Sequence, residues 1–266
     1  MSNILNKYYE QPELWEKDSK IIKIEIERVK ETILLIPSDV KSILDAGCGD
    51  GVFLNHLTNH YDKVIGMDIS KEGLAHVKTE TIVSDIDSIP FNDSTFDLIT
   101  SLEVLEHLPY KTYNKALSEL QRVSKKYIII SVPNNENIEN SLVICPCCYC
   151  RFNPNFHMHS FNSETLKNLF TKFKLLSCKE IGPLIPKSSY NNILFSAYRT
   201  WRKTPLKETS ICPQCGFQGK DKKYLKKNKS HKYNNQNFSK LRLFSKILWH
   251  RRKQYRWLLA LYERKE

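Results

Sequence analysis

Short apolar runs alternate with amphipathic stretches over the first two thirds of the chain. The runs are four to eight residues long, which is typical of buried strands, and the stretches between them repeat apolar residues at helical spacing. The predicted strands lie at residues 42–46, 63–67, 81–84, 96–101, 126–132 and 174–181, and the predicted helices at 52–60, 71–77, 113–123 and 163–170. This alternation predicts an α/β fold with a doubly wound, mostly parallel sheet and right-handed crossovers. The pattern does not reveal a seventh strand.

The same periodicity divides the chain into segments. Ile22, Ile26, Val29 and Ile33 recur at helical spacing before Pro37, so residues 1–36 form a predicted N-terminal helical segment. The segments predicted after it are a core at 37–182 with a cysteine-rich insertion at 135–158, a second insertion at 183–237 with a cysteine knuckle, and a basic amphipathic helix at 238–266.

The C-terminal region carries the positive charge of the protein. Residues 218–266 hold 16 Lys/Arg and 3 Asp/Glu, whereas the rest of the chain is nearly neutral, and the net charge is +12. Three interpretations of the predicted helix remain open. It docks on the core and exposes its charges to water, or it lies on a membrane surface with Trp249 and Trp257 at the interface, or it binds RNA. No recognised RNA-binding module is visible in the sequence.

Composition and hydropathy lead us to expect a cytoplasmic protein with a real core. The hydrophobic content is 41%, and the longest apolar runs, such as residues 127–132, are too short to span a bilayer. The N-terminus has no apolar region typical of a signal peptide. Peripheral membrane contact is expected only through the C-terminal segment.

Glycines are concentrated in the turn after the first predicted strand. Gly47, Gly49 and Gly51 permit a sharp turn and the close approach of a ligand to the backbone. In an open parallel sheet, ligands bind at the carboxyl ends of the strands. A dinucleotide-binding fingerprint requires glycine or alanine at the position of Val52, so nicotinamide binding is disfavoured.

Two acidic residues follow the next predicted strands. Asp68 ends the second strand, where a carboxylate can accept hydrogen bonds from two ribose hydroxyls. Asp85 and Ile86 follow the third strand, where the carboxylate would accept from an adenine amine while Ile86 packs on the ring. The alternatives are a helix cap or turn residue for Asp68 and an ordinary loop position for Asp85.

Four segments within residues 42–181 resemble, in order, the motifs of class I S-adenosylmethionine-dependent methyltransferases: ILDAGCGDG, VIGMDIS, SDIDSIPFNDSTFDLITSLEVLEHL and YIIISVPN. The subgroup that includes the ubiquinone-biosynthesis O-methyltransferases resembles the chain best. The resemblance implies a Rossmann-like core and S-adenosylmethionine as cofactor, with Asp45, Gly47 and Gly49 at the methionine part, Asp68 at the ribose and Asp85 at the adenine region. The expected cofactor-binding set also includes Ile69, Ile86 and Ser101.

A carboxylate–histidine cluster follows the fourth predicted strand. On a helix, Glu103, Glu106 and His107 would share one face, and they are similar to the metal motif of ubiquinone-pathway O-methyltransferases and small-RNA 2′-O-methyltransferases. A later histidine completes the site in the RNA enzymes; His157 and His159 are the candidates, and the predicted set for Mg²⁺ or Mn²⁺ takes His159. Alternatively, Glu106 and His107 are catalytic without a metal, with His107 as general base.

Two cysteine pairs share the form Cys-Pro-x-Cys. Cys145 and Cys148 form the first pair, and Cys212 and Cys215 form the second. Four thiolates from two such pairs make a closed tetrahedral site, which predicts structural zinc. Alternative ligands nearby are Cys147, Cys150 and His157. Disulfides between these cysteines are disfavoured in the cytosol, so the alternative to a zinc site is a group of free cysteines.

Three hypotheses about function follow from these motifs. The first is a methyltransferase acting on an oxygen of a small molecule, sugar or lipid-linked intermediate. The second is an RNA methyltransferase of the 2′-O type that uses the basic tail. The third is a zinc-stabilised binding protein without catalysis, against which the intact glycine loop and Asp68 argue.

Overall fold

The computed structural model describes residues 2–17, 19–57, 61–186, 206–221 and 253–266. Within these residues, the main sheet has seven strands in the order β3-β2-β1-β4-β5-β9-β8. Their bounds are β1 Ser42–Ala46, β2 Lys63–Asp68, β3 Glu80–Val83, β4 Phe96–Leu102, β5 Ser124–Pro133, β8 Phe173–Pro186 and β9 Lys253–Arg264. Strands β1 to β5 pair in parallel, while β9 runs antiparallel to both β5 and β8. The predicted α/β fold with a mostly parallel sheet is confirmed.

Helices and short turns connect these strands. The α-helices are α1 Ser2–Tyr9, α2 Ser19–Leu34, α3 Lys71–Leu74, α4 Tyr110–Val123, α5 Ile138–Ser141 and α6 Ser163–Lys167. Single 3-10 turns lie at Pro12–Leu14, Leu54–His56 and Leu105–His107. None of the helices described is both long and apolar enough to cross a bilayer.

The central strands are buried on both faces. Ile43 and Leu44 are adjacent in β1 and both are fully buried, although successive strand residues point to opposite faces. Helix α4 covers one face with residues such as Leu120, and α2 covers the other with residues such as Val29. This layering places the carboxyl ends of β1, β2 and β4 at one edge, where a ligand can enter.

The C-terminal segment forms an interior strand, so the predicted basic helix is wrong for residues 253–264. Strand β9 inserts between β5 and β8, and residues 257–262 are all buried. The run WLLALY favours a helix by intrinsic propensity, yet it also supplies apolar side chains to both faces of a covered sheet, and the tertiary context decides. The rest of the predicted helix, including Trp249, lies outside the described residues.

Two further predicted helices are much shorter in the structure. The stretch predicted as a helix at 52–60 contains only the 3-10 turn Leu54–His56, and residues 58–60 lie outside the described part. After β4, Glu103 adopts a φ of 60°, and only Leu105–His107 form a 3-10 turn before Pro109 precedes α4. Glu103, Glu106 and His107 therefore do not share one helical face, because a left-handed residue cannot begin that helix and Pro109 follows six residues later.

The two cysteine-containing segments pack together beside the sheet. The first contains the two-stranded hairpin of β6 Val143–Ile144 and β7 Arg151–Phe152. The second, residues 206–221, is held by a bridge between Ile211 and Gln218. Their shared core consists of Cys145, Phe152, Leu206 and Cys212, so two of its four buried residues are cysteines. We call residues 143–152 and 206–221 together the cysteine module.

Candidate active site and cysteine centre

A cavity of about 820 Å³ opens at the carboxyl edge of the parallel strands. Its wall contains the predicted cofactor residues that lie at or just after the ends of these strands, namely Asp45, Gly47, Gly49, Asp68, Ile69, Asp85 and Ile86. The topology brings them together because parallel strands place their carboxyl ends on one edge. Ser101 is the exception. It is fully buried, it does not line this cavity, and its hydroxyl donates to the Ala46 carbonyl at 3.0 Å.

The glycine loop has backbone angles that favour glycine. Gly47 and Gly49 have φ values of 85° and 54°. A Cβ at Gly47 would collide with the side chain of Val104, and one at Gly49 would lie 2.9 Å from the Trp15 ring. The loop therefore leaves no room for a side chain at either glycine, and the backbone of both lies at the cavity wall.

Asp68 is anchored by the loop it faces. Its Oδ2 accepts a hydrogen bond from the Gly49 amide at 2.9 Å, and its Oδ1 accepts from the Ser70 amide at 2.8 Å. Burial raises the pKa of Asp68. The two amides fix the direction of the carboxylate at the cavity wall, so its remaining lone pairs can accept from a pair of hydroxyls.

Asp45 is a buried acid at the end of β1. It is 2% exposed, and its Oδ1 accepts a hydrogen bond from the Thr100 hydroxyl at 2.6 Å. Burial raises the pKa of Asp45 to about 7. The charge of Arg28 partly opposes this rise, and an ammonium group of a ligand would stabilise the ionised carboxylate further.

The adenine-side residues differ in exposure. Ile86 is buried at 6% exposure, while Asp85 is exposed and accepts from the Asp87 amide at 3.3 Å. An apolar side chain beside an exposed carboxylate can pack on a heterocycle and accept from its amine.

Arg28 belongs to the site, although the sequence analysis did not identify it. It lies on α2, is 6% exposed, lines the cavity and stacks over the Trp257 ring at 5.3 Å. Its Nε has no hydrogen-bond partner within the part of the chain that the structure describes. The available signal was an arginine next to Val29 on the apolar stripe of a helix. A buried guanidinium of this kind suits a carboxylate ligand.

An N-terminal strap covers the glycine loop; we define it as residues 8–17. Tyr9 and Trp15 line the cavity, and the indole N–H of Trp15 donates to the Tyr9 carbonyl at 3.0 Å. At its end, Lys17 pairs with Asp50 at 2.7 Å and with Glu25 at 2.9 Å. The strap therefore joins the loop after β1 to helix α2.

The predicted carboxylate–histidine cluster is rearranged. Glu103 accepts from the Ser131 hydroxyl at 2.8 Å and stays apart, whereas Glu106 and His107 adjoin His157. One ligand atom from each of these last three residues lies within 4.8 Å of the others. His157 also bonds Glu136 through Nδ1. Of the two candidate histidines, the structure places His157 in the cluster.

His159, the histidine of the predicted metal set, points elsewhere. Its Nε2 is 2.8 Å from the Leu108 carbonyl oxygen, and its ring stacks on Tyr113 at 4.2 Å. The two rings therefore have different neighbours, since the His157 ring lies 4.6 Å from the His107 ring between centroids. His159 is thus a packing residue in this structure.

Glu106 and His107 have unusual electrostatics. Glu106 is 1% exposed, neither of its oxygens has a hydrogen-bond partner among the described residues, and Oε1 lies 3.8 Å from His107 Nε2. Burial raises the pKa of Glu106 and lowers the pKa of His107 to about 3. A neutral imidazole is the form that ligates metals, but a base this weak removes protons poorly.

The two cysteine pairs meet, as predicted. Sγ of Cys145 lies 3.6 Å from that of Cys215, and Sγ of Cys148 lies 3.6 Å from that of Cys212. All four sulfurs lie within 4.8 Å of one another. A Zn–S bond of about 2.3 Å separates the sulfurs of a tetrahedron by about 3.8 Å, so the donors fit zinc.

The two knuckles share one backbone geometry. In each knuckle, the amide of the first cysteine donates a hydrogen bond to the carbonyl of the residue five positions later, at 2.9 and 2.8 Å. The carbonyl of the same cysteine accepts a hydrogen bond from the amide of the residue four positions later, at 3.0 and 2.9 Å. Those fourth residues, Tyr149 and Gly216, have φ of 63° and 72°. By this equivalence Cys148 matches Cys215, whereas Cys150 matches Phe217. A hydrogen bond from the Cys150 amide lowers the pKa of Cys148 to about 6.

Comparison with known proteins agrees with this geometry. A family model described as a methyltransferase domain matches residues 19–175. An uncharacterised protein of Methanocaldococcus jannaschii is 38% identical over 100 residues, which cover 36% of this chain and 42% of that protein. The ubiquinone biosynthesis O-methyltransferase of Nitrosococcus oceani is 39% identical over 80 residues, which cover 26% and 34%. The chain thus spans less than half the length of these relatives.

A solved structure shows the same fold. An S-adenosylmethionine-dependent methyltransferase from Thermotoga maritima aligns with a TM-score of 0.52 and 14% identity, over 100% of both chains. The family match covers well over half of the chain and includes every strand from β1 to β5. The chain therefore belongs to the methyltransferase-domain family, within the class I S-adenosylmethionine-dependent superfamily.

Proposed function

We propose that this chain binds S-adenosylmethionine in the cavity and transfers its methyl group to an oxygen of an acceptor. The observation that carries the proposal is the anchoring of Asp68 by the Gly49 amide, at the wall of a cavity that also holds Asp45 and Arg28. Each of these groups suits a different part of the cofactor, and they lie along one wall.

The charges fit the polar groups of that cofactor. Arg28 would bind the carboxylate of its methionine part, and Asp45 would bind the ammonium. Asp68 would accept from the ribose hydroxyls, while Ile86 packs on the adenine and Asp85 accepts from its amine. When bound, the cofactor supplies an electrophilic methyl group on a sulfonium. The protein's part is to hold both reactants in line and exclude water.

Binding of S-adenosylhomocysteine tests the cofactor site. Calorimetric titration of the wild type should show binding, and Asp68→Ala should abolish it. Glu80→Ala changes an exposed acid on β3 and should bind like the wild type. Absence of binding to the wild type would favour a zinc-stabilised binding protein without catalysis.

The acceptor requires a separate experiment. The oxygen assignment is supported by the name of the Nitrosococcus relative, an O-methyltransferase, and the acceptor classes we favour are a small molecule, a sugar or a lipid-linked intermediate. Incubation of the protein with cell extract and labelled S-adenosylmethionine should label the acceptor. Label that is released by ribonuclease but not by protease would assign the activity to RNA instead.

We also propose that the cysteine centre binds structural zinc. Its support is the match between the measured sulfur separations and a tetrahedral site, together with the shared geometry of the two knuckles. Purified protein should contain one zinc per chain, and Cys212→Ser should lose it. Cys147→Ser is the matched control, because Cys147 is exposed and lies outside the four-sulfur cluster.

A second candidate function, 2′-O methylation of RNA, is favoured by the cluster of Glu106, His107 and His157. Two imidazoles and a carboxylate suit Mn²⁺ better than Mg²⁺, which prefers oxygen ligands. Electron paramagnetic resonance should show tightly bound Mn²⁺ that His157→Ala releases and His159→Ala retains. Filter binding over a salt series should then show RNA affinity that falls steeply with salt.

A further inference from the structure

The N-terminal strap contacts both the cofactor loop and the cysteine module. On the cofactor side, the Glu10 carboxylate accepts from the amides of Lys71 and Glu72 at 2.8 and 3.3 Å. The Ser70 hydroxyl donates to the Tyr9 carbonyl at 2.9 Å. The amide of Ser70 also donates to Asp68, so Ser70 links the strap to the carboxylate that is proposed to bind the ribose.

The strap also presses on the glycine loop. A Cβ built at Gly49 would lie 2.9 Å from the Trp15 ring, and one at Gly73 would lie 3.0 Å from it. Trp15 therefore fills the space between the loop after β1 and helix α3. Displacement of the strap would open the cavity wall at Gly49.

On its other side, the strap is tied to the cysteine module by Gln11. The side-chain amide of Gln11 donates to the Thr209 carbonyl at 2.9 Å and to the Tyr8 carbonyl at 3.1 Å, and the side chain is 6% exposed. Thr209 lies three residues before Cys212. Tyr8 adds an edge-to-face contact with Phe156 at 4.8 Å, and both belong to a small core with Ile211.

The position of the Thr209 carbonyl depends on the cysteine module. The hydrophobic cluster that the two segments of the module share has four buried residues, two of which are Cys145 and Cys212. So small a core needs a metal or another cross-link to hold its fold. Without the ion, the four thiols lose the bonds that join residues 143–152 to residues 206–221.

We infer that Gln11 is a positioning residue for the cofactor site, and that metal at the cysteine centre strengthens cofactor binding by holding the strap through it. This inference rests on the proposed zinc and S-adenosylmethionine sites. Coupling between two sites is reciprocal, so the cofactor should also slow the loss of zinc.

Calorimetry with S-adenosylhomocysteine tests the inference on four proteins: zinc-loaded wild type, zinc-stripped wild type, Gln11→Glu and Glu13→Gln. Gln11→Glu keeps the size of the side chain but removes the N–H donor, and should weaken binding roughly tenfold with zinc retained. Stripping zinc should weaken binding at least as much. Glu13→Gln removes an exposed ion pair that also joins the strap to the module, through Lys220, and should bind like the wild type because exposed ion pairs contribute little.

Hydrogen exchange of residues 2–17 provides a readout independent of ligand binding. Exchange there should rise in Gln11→Glu and in the zinc-stripped protein, and remain low in Glu13→Gln. Equal affinity of zinc-loaded wild type and Gln11→Glu would overturn the inference while leaving the cofactor site intact. No binding to zinc-loaded wild type would instead overturn the proposed function, and a wild type purified without zinc would overturn the metal site.

Discussion

Arg28 on α2 lies over the indole ring of Trp257 on β9, at 5.3 Å from the ring centroid. The two residues are far apart in sequence, and their contact holds a guanidinium at the wall of the cavity. Because Trp257 is 3% exposed and sits in an interior strand, it gives Arg28 a rigid support. The carboxylate end of the proposed cofactor site thus depends on the last strand of the sheet.

Replacing Arg28 by lysine should weaken S-adenosylhomocysteine binding about tenfold or more, because lysine lacks the planar fork that binds a carboxylate through two hydrogen bonds. Calorimetry measures the effect. Arg256→Lys is a matched control, since Arg256 also stacks on Trp257, at 4.9 Å, but is exposed and does not line the cavity. Equal losses in both variants would show that the effect comes from the support of Trp257 and not from a carboxylate contact.

Whether the sequence could predict a site residue depends on the structural feature that brings that residue to the site. Asp45 and Asp68 lie at the carboxyl ends of parallel strands and Gly49 lies in the loop after one, so the order of strands alone brings them to one edge. Arg28 depends on a contact between the second helix and the last strand, and no local pattern encodes it. The strand itself was obscured because WLLALY has strong helix formers, and only its place between β5 and β8 makes it extended.

The carboxylate–histidine cluster could likewise be predicted from the sequence only in part. Its residue types correctly indicated a cluster of ligating groups, but the geometry assumed a helix that the positive φ of Glu103 prevents. The choice between His157 and His159 depended on which residues each ring contacts in the folded chain, and the spacing of residues does not determine those contacts. The cysteine pairs were more informative, because each knuckle is a local turn that presents two sulfurs, and four sulfurs from two such turns suit one metal ion.

Asp45→Asn should stabilise the protein while weakening cofactor binding. In the folded protein Asp45 holds its proton up to about pH 7, whereas in the unfolded chain it releases the proton near pH 4. Folding is therefore opposed by the ionisation of Asp45, and the free energy of unfolding of the wild type falls as the pH rises between those values. Asparagine has no such dependence. Its advantage in the free energy of unfolding should grow over that range and reach on the order of 4 kcal/mol at pH 8.

Urea denaturation of both proteins at several pH values between 4 and 8 measures the stability difference of the Asp45 variant. Asp62→Asn is a control at an exposed position on the approach to β2. A stability difference that does not change with pH would contradict the raised pKa of Asp45.

The ligand set of the cysteine centre can be tested by two serine variants. Cys148→Ser should lose zinc and lower the melting temperature, because Cys148 matches Cys215 in the knuckle geometry. Cys150→Ser should retain zinc, because Cys150 matches Phe217, although its sulfur lies 3.2 Å from that of Cys212. Elemental analysis and thermal melts measure both effects. Loss of zinc from Cys150→Ser but not from Cys148→Ser would show that Cys150 is the ligand in place of Cys148.

Glu106→Gln should change stability in opposite directions with and without a metal. Glu106 is buried with no hydrogen-bond partner for either oxygen among the described residues, and burial raises its pKa. A carboxyl with a raised pKa opposes folding once the pH exceeds its unfolded value, so at neutral pH in EDTA the glutamine variant should melt at a higher temperature than the wild type. A bound Mn²⁺ would compensate the carboxylate and reverse the order, because ligand binding stabilises only the folded state that binds it.

Thermal melts of wild type and Glu106→Gln in EDTA and in Mn²⁺ decide the question. Glu103→Gln serves as a control, since Glu103 already accepts a hydrogen bond from Ser131 and lies outside the three-residue cluster, so its melting temperature should respond to Mn²⁺ as the wild type does. If Mn²⁺ raises the melting temperature of Glu106→Gln as much as that of the wild type, the ion binds elsewhere. The cluster of Glu106, His107 and His157 would then not be the Mn²⁺ site, and the proposal of 2′-O methylation of RNA would lose the observation that favours it.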